Sequence, residues 1–414
     1  MNFFSYRDGA LCVEQVPLAT IAAQFGTPCY VYSRAALESA YREFEQACAG
    51  RDALICYAVK ANSNLALLNV LARLGSGFDI VSGGELARVL AVGGAAAKTV
   101  FSGVGKSETE MRAALQAGIL CFNVESEGEL ERLARIASDL GKVAPVSLRV
   151  NPDVDPRTHP YIATGLRESK FGVAYEEAPR LYRKAASLRS LRVTGIDFHI
   201  GSQLTEIEPF IAALDKILEF VDVLDASGSP LQHIDLGGGL GIRYHDESPP
   251  ALEDYLGRLF QCLGNRKLRL LFEPGRSLVG NTGLLLARVE YLKHGPAKNF
   301  IVTDTAMNDL LRPALYDAWH EVLPIVRREG PAKRYDIVGP VCESADFLAR
   351  ERTIAVTAGD LLAIMSAGAY GMSMSSNYNS RPRPAEVMVD GETVHLIRDR
   401  ESVESLFASE RILP

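Results

Sequence analysis

The sequence predicts an α/β protein made of a (β/α)8 TIM-like barrel joined to a second, β-rich domain. Three observations carry this expectation. Eight short apolar runs alternate with longer amphipathic stretches between residues 54 and 276. Polar side chains gather just past the end of nearly every run. Beyond about residue 280, helical periodicity gives way to Val-, Ile- and Leu-rich runs separated by Gly, Pro and Asp turns. The expected boundaries are 30–280 for the barrel and 281–414, completed by 1–29, for the β-rich domain.

The eight runs are Leu54–Val59, Phe78–Val81, Thr99–Ser102, Cys121–Val124, Val146–Val150, Gly195–Ile200, His233–Leu236 and Leu270–Phe272. They read as strands and the stretches between them as helices. Two of those helices open on capping-box patterns, Ser107-x-x-Glu110 and Ser126-x-x-Glu129. Along Glu127–Ala137, Leu130, Leu133, Ala134 and Ala137 share one face, as on a helix packed against a barrel. Eight successive βα units favour a closed barrel over an open doubly wound sheet.

In the second domain the apolar runs are Leu284–Leu292, Phe300–Val302, Tyr335–Val338, Leu361–Met365, Glu386–Val389 and Val394–Ile397. Asp8-Gly9 marks a hairpin turn between Phe3–Tyr6 and Ala10–Val13, and these strands are expected to join the C-terminal domain.

Composition narrows the function classes. A chain of 414 residues suggests two domains, and 47% hydrophobic with 23% charged residues can bury a large core. A net charge of -7 argues against a nucleic-acid partner. Seven scattered cysteines without a Cys-x-x-Cys spacing suggest neither a disulfide framework nor a zinc site. With no basic-then-apolar N-terminus and no long uncharged apolar run, the expectation is a cytoplasmic protein without a membrane partner.

The polar residues past the strand ends are Lys60 and Asn62, Asp79 and Ser82, Ser102 and Lys106, Asn123 and Glu125, Arg149 and Asn151, His199, glycines 237–239, and Glu273. Barrel enzymes build their sites on that face. Gly237-Gly238-Gly239 alone reads as a turn. After the seventh strand, with Glu273-Pro274-Gly275-Arg276 after the eighth, it reads as a phosphate-binding loop. Lys60 ends an apolar run, where its charge is costly to desolvate. Facing a phosphate loop, it suggests pyridoxal phosphate held as a Schiff base; otherwise it pairs with Asp79 or Glu273. A carboxylate such as Glu273 at the pyridine nitrogen would keep that nitrogen protonated and the ring an electron sink. His199 could lie over such a ring, and no histidine has metal-ligand spacing.

Six segments in order carry a family resemblance: Tyr57-Ala58-Val59-Lys60-Ala61-Asn62, Phe78-Asp79-Ile80-Val81-Ser82-Gly83-Gly84-Glu85-Leu86, His199-Ile200-Gly201-Ser202-Gln203, Gly237-Gly238-Gly239, Glu273-Pro274-Gly275-Arg276 and Gly339-Pro340-Val341-Cys342-Glu343-Ser344. Together they resemble the fold-type III pyridoxal-phosphate decarboxylases, most closely the diaminopimelate decarboxylases. The stretch from Asn151 to Ile162 and Ser169-Lys170-Phe171-Gly172 are similar to that family too. The resemblance implies decarboxylation of meso-2,6-diaminopimelate to L-lysine and carbon dioxide, with pyridoxal 5'-phosphate as cofactor. Lys60 would then be the covalent lysine and His199 the ring-stacking residue. Asp79, Ser202, Gly238, Glu273, Gly275 and Arg276 would hold the cofactor, with Tyr370 closing on cofactor and substrate. Cys342 would protonate Cα. Arg276, Arg312 and Tyr316 would grip the distal carboxylate and Glu343 the distal ammonium. A homodimer with shared sites is also implied.

Such a site needs both cations and an anion away from the reacting carbon, since the substrate has two amino-acid heads. Where many relatives read Cys-Glu-Ser-Gly-Asp, this chain has Ala345, which places the local turn in question. Alanine racemase-like enzymes share the lysine but continue Tyr-Gly-His, unlike Ala61-Asn62-Ser63. Decarboxylases of ornithine, lysine or a carboxylated polyamine such as carboxynorspermidine tend to carry Cys-Asp at 342–343 and lack the Gln at 203. A non-catalytic relative would lose Lys60 or the phosphate loop.

Overall fold

A computed structural model describes residues 3–155, 159, 162, 164–165, 168–226, 228 and 230–414. Pro156, Thr158, Pro160 and Tyr161 of the family-like stretch lie outside the described residues. The chain forms two compact units: Ala40–Arg243 with Glu247–Ser277, and the chain up to Ser39 with Tyr244–Asp246 and Leu278–Pro414.

The first unit is the barrel. Its strands are Ala53–Ala58, Gly77–Ile80, Thr99–Phe101, Cys121–Val124, Ala144–Asn151, Leu191–Asp197, His233–Asp235 and Arg269–Phe272. All run parallel, and the ring closes where Arg269–Phe272 pairs back onto Ala53–Ala58. Strands buried on both faces read as continuous apolar runs, which is why all eight stand out in the sequence. Side-chain period two then stacks the barrel interior in layers. Leu54, Cys56, Val100, Cys121 and Leu271 form a buried apolar cluster. One layer further on, in register with Ala58, comes Asp79.

Ser107 and Glu110 form a complete capping box. At the second expected box, Ser126 caps Glu129 N–H, but the Glu129 carboxylate turns elsewhere. It accepts from Glu125 N–H at 3.0 Å and pairs with Lys106 Nζ at 2.7 Å. Lys106 also donates to the carbonyls of Gly103 and Asn123, so this buried ammonium is fully engaged within the scaffold. The burial of Lys106 outweighs the local motif.

The second unit is a mixed sheet in the order Phe347–Ile354, Lys333–Val338, Asn299–Thr303, Gly283–His294, Cys29–Ser33, Ala385–Asp390, Thr393–Arg398. Leu361–Ile364 pairs with both Gly283–His294 and Val322–Pro324. Cys29–Ser33 is an interior strand, antiparallel to Gly283–His294 and parallel to Ala385–Asp390. The boundary expected at residue 30 falls inside it. The hairpin Phe4–Arg7/Ala10–Val13 turns through Asp8 and Gly9, both at positive φ, and Leu11 N–H donates to the Ile325 carbonyl at 2.7 Å. Leu11, Val13, Ile21, Val31, Leu284, Leu286, Val387 and others make this unit's core. No helix among the described residues is long and apolar enough to cross a membrane.

Candidate active site

The first barrel strand ends at Ala58, and Lys60 lies in the 3-10 turn Val59–Ala61 that follows. Its side chain is 37% exposed, so it reaches out of the barrel mouth rather than sitting in the strand core. Nζ is 3.0 Å from Asp79 Oδ2, and Asp79 is fully buried. Asp79 Oδ1 and Asp197 Oδ1 are buried with no hydrogen-bond partner among the described residues.

Glu273 lies deeper. Its Oε1 accepts from Ser102 Oγ at 3.3 Å and lies 3.5 Å from Asn123 Nδ2, while its N–H donates to the Gly237 carbonyl at 2.7 Å. Asp197, Asp235 and Glu273 each bring a carboxylate oxygen within 4.8 Å of the other two. Carboxylates this close and this dry cannot all ionise. Burial raises Glu273 well above the usual carboxylate range, and Asp235, Asp79 and Asp197 add to that while Lys60 opposes it. Asp235 is pushed up to about 6, chiefly by burial, against the pull of Gly237 N–H. Arg149 compensates one side, 3.2 Å from Glu125 and 3.9 Å from Asp197.

His199 is held well below the usual imidazole range by burial and by the charges of Arg149 and Lys60. Its Nδ1 accepts from Gly238 N–H at 3.2 Å, which fixes a neutral ring with its proton on Nε2. The loop could not be built with larger residues. A Cβ on Gly238 would sit 2.2 Å from the Glu273 carbonyl oxygen. Gln203 stitches the same loop down, donating to the Ile242 carbonyl at 2.6 Å and accepting its N–H at 3.1 Å. Arg276 Nη2 donates to Ser202 Oγ at 3.1 Å, and Gly275 packs against Ala58 and Ala61.

The barrel thus brings Lys60, Asp79, His199, Ser202, Gly238, Glu273, Gly275 and Arg276 onto one face. Ser82 instead caps the helix Gly83–Ala91, and Lys106 serves the buried pair described above. Asp197 and Asp235 were not singled out from the sequence, although each ends a strand between apolar neighbours.

The remaining candidates lie in the β-rich unit. Arg312 is buried and opens the short helix Arg312–Tyr316, whose last residue is Tyr316. Cys342 and Glu343 are exposed on a turn pinned by Asp346, which accepts from Val341 N–H and Met307 N–H. Cys342 N–H donates to Asn379 Oδ1 at 2.8 Å. Ala345 is not among the residues with positive φ, so the turn does not require glycine there. Tyr370 does adopt φ 55°, an unusual conformation for an aromatic residue.

A family model described as the pyridoxal binding domain of the pyridoxal-dependent decarboxylases matches residues 34–280. The diaminopimelate decarboxylase of Pseudomonas aeruginosa is 60% identical over the whole of both chains. The chain belongs to the diaminopimelate decarboxylase family. The Vibrio cholerae diaminopimelate decarboxylase is 58% identical, again over both full lengths. Among solved structures, the diaminopimelate decarboxylase of Helicobacter pylori complexed with L-lysine superposes with a TM-score of 0.92 at 42% identity, covering 95% of this chain and 99% of that one. The diaminopimelate decarboxylase from M. jannaschii gives 0.95 at 37%, covering 100% and 98%. This diaminopimelate decarboxylase family member is therefore a pyridoxal-phosphate-dependent carboxy-lyase. Its barrel mouth suits that cofactor. Glycines 237–239 let the loop backbone lie directly against the carbonyls of Phe198, Glu273 and Gly201 where a Cβ would clash, and the acids below can hold a proton for the pyridine nitrogen.

Proposed function

We propose that this chain decarboxylates meso-2,6-diaminopimelate to L-lysine and carbon dioxide, using pyridoxal 5'-phosphate, as the last step of lysine biosynthesis. The observation that carries the reading is full-length identity of 60% to a diaminopimelate decarboxylase. When bound, the cofactor supplies an electron sink for the pair left at Cα as carbon dioxide departs. Lys60 offers the amine for covalent attachment, and its ion pair with Asp79 orients it until then. His199, neutral and fixed by Gly238, can stack on a flat ring without adding charge. Glu273 would share a proton with the pyridine nitrogen, and Ser202, Gly238, Gly275 and Arg276 would hold the phosphate.

In the same reading, Cys342 returns a proton to Cα, its exposed thiol being accessible to a substrate. Arg276, Arg312 and Tyr316 bind the distal carboxylate, Glu343 the distal ammonium, and Tyr370 closes over both partners. The exposure of Cys342 and Glu343 in a single chain favours a homodimer in which each turn completes the other copy's site. A cytoplasmic location follows from the biosynthetic role.

The test is carbon dioxide release by the purified holoenzyme from meso-diaminopimelate, L-ornithine and L-lysine in parallel. Turnover of diaminopimelate alone is expected, and turnover of ornithine but not diaminopimelate would overturn the substrate. Lys60→Ala should lose both activity and the visible absorbance of the bound cofactor; full activity in that variant would overturn the mechanism.

A further inference from the structure

His320 is completely buried between two groups of fixed hydrogen-bonding character. Its Nδ1 is 2.8 Å from the Met365 carbonyl oxygen and its Nε2 is 2.8 Å from Arg312 Nη1. A carbonyl only accepts and a guanidinium only donates. Nδ1 therefore carries the proton, and Nε2 turns its lone pair to Arg312, which is a neutral imidazole in one tautomer. The frame around it is tied down as well. Met365 N–H donates to the Glu321 carbonyl at 2.8 Å, and the His320 carbonyl accepts from Arg352 Nη2 at 2.9 Å. Tyr244 completes the cradle, its ring 4.4 Å from the Arg312 guanidinium carbon and edge-on to His320 at 5.3 Å.

We propose that His320, with Tyr244, is a positioning residue that presets the Arg312 guanidinium for the carboxylate of the substrate's distal head, and so sets selectivity for carboxylate-bearing ligands. The proposal rests on the assignment of Arg312 to that carboxylate. Two physical effects recommend an imidazole here. An arginine already held has less rotamer freedom to lose on binding. A neutral acceptor also leaves the full positive charge for the ligand, whereas a carboxylate in the same place would satisfy and neutralise it.

The experiment uses the holoenzyme and its His320→Ala, His320→Gln and Arg312→Lys variants. Steady-state constants are measured with meso-diaminopimelate, and inhibition with L-lysine, which keeps the carboxylate, and cadaverine, which lacks it. Loss of one hydrogen bond to a charged group predicts that His320→Ala raises KM and weakens L-lysine about 10-fold or more. Cadaverine inhibition should hold, kcat should fall less than KM rises, and His320→Gln, whose amide oxygen can accept from Arg312, should recover part of the loss. Equal weakening of L-lysine and cadaverine would show general loss of packing and overturn the proposal. So would unchanged L-lysine inhibition in His320→Ala when Arg312→Lys weakens it. Should Arg312→Lys itself leave L-lysine inhibition unchanged, the assignment of Arg312 fails and the proposal falls with it.

Discussion

Replacing Asp235 by Asn should make the cofactor-free protein relatively more stable as pH rises. Asp235 is fully buried, and its carboxyl moves from 3.8 to about 6 on folding. At about 1.36 kcal/mol for each tenfold change in proton affinity, that rise amounts to ~3 kcal/mol of folding free energy. A carboxyl whose folded value is raised contributes its full stability below the unfolded value. That contribution is lost as pH climbs through the folded value, here about 6. Of the ~3 kcal/mol, ~1.4 kcal/mol falls between pH 5 and 8. Asn cannot ionise, yet it keeps an oxygen for Gly237 N–H. Removing the charge also relieves Glu273, which Asp235 helps to raise. The assay is urea unfolding of the cofactor-free wild type and Asp235→Asn across that range, taking the difference at each pH. The variant should gain at least ~1.4 kcal/mol on the wild type from pH 5 to pH 8. A difference that stays flat, or moves the other way, would mean that Asp235 is already ionised at pH 5 and is not the acid of the cluster that holds the proton.

Lys106→Met leaves Glu129 buried without its counter-ion and strips a donor from two carbonyls. It should cost about 3–5 kcal/mol, read as a lower urea midpoint, and a loss below 1 kcal/mol would contradict the account. Gly238→Ala forces a methyl against the Glu273 backbone. Titration of the cofactor-free variant with pyridoxal phosphate should show affinity weakened about 10-fold or more, since the ligand loop itself must shift; unchanged affinity would take this loop out of the cofactor site.

The barrel was legible because strands covered on both faces leave long apolar signatures between amphipathic helices. Cys29–Ser33 is equally apolar, but its neighbours lie at Gly283–His294 and Ala385–Asp390, and no local pattern announces partners so distant. Asp197 and Asp235 were hidden for another reason. Both lie inside the expected runs Gly195–Ile200 and His233–Leu236, where His199 and the glycines 237–239 are the more conspicuous marks, although they share with Asp79 the pattern visible in Phe78-Asp79-Ile80, Ile196-Asp197-Phe198 and Ile234-Asp235-Leu236. An acid between two apolar residues on a buried strand points inward by the period of two. Glu129 shows the converse, a motif whose side chain is claimed by a lysine 23 residues earlier. His320 carries no sequence mark, because its role depends on Met365, 45 residues on, and on Tyr244.

The interior position of Cys29–Ser33 also bears on how a ribosome must make this molecule. The strand emerges before either neighbour exists, and its second neighbour follows roughly 350 residues later. At about 5–20 residues per second that interval is about 20–70 s. Every barrel strand is synthesised in between, so that unit can close while Cys29–Ser33 still exposes two open edges. A nascent chain stalled anywhere short of Ala385 therefore displays an apolar strand seeking a partner. Such a chain is a substrate for chaperones or for a second stalled copy.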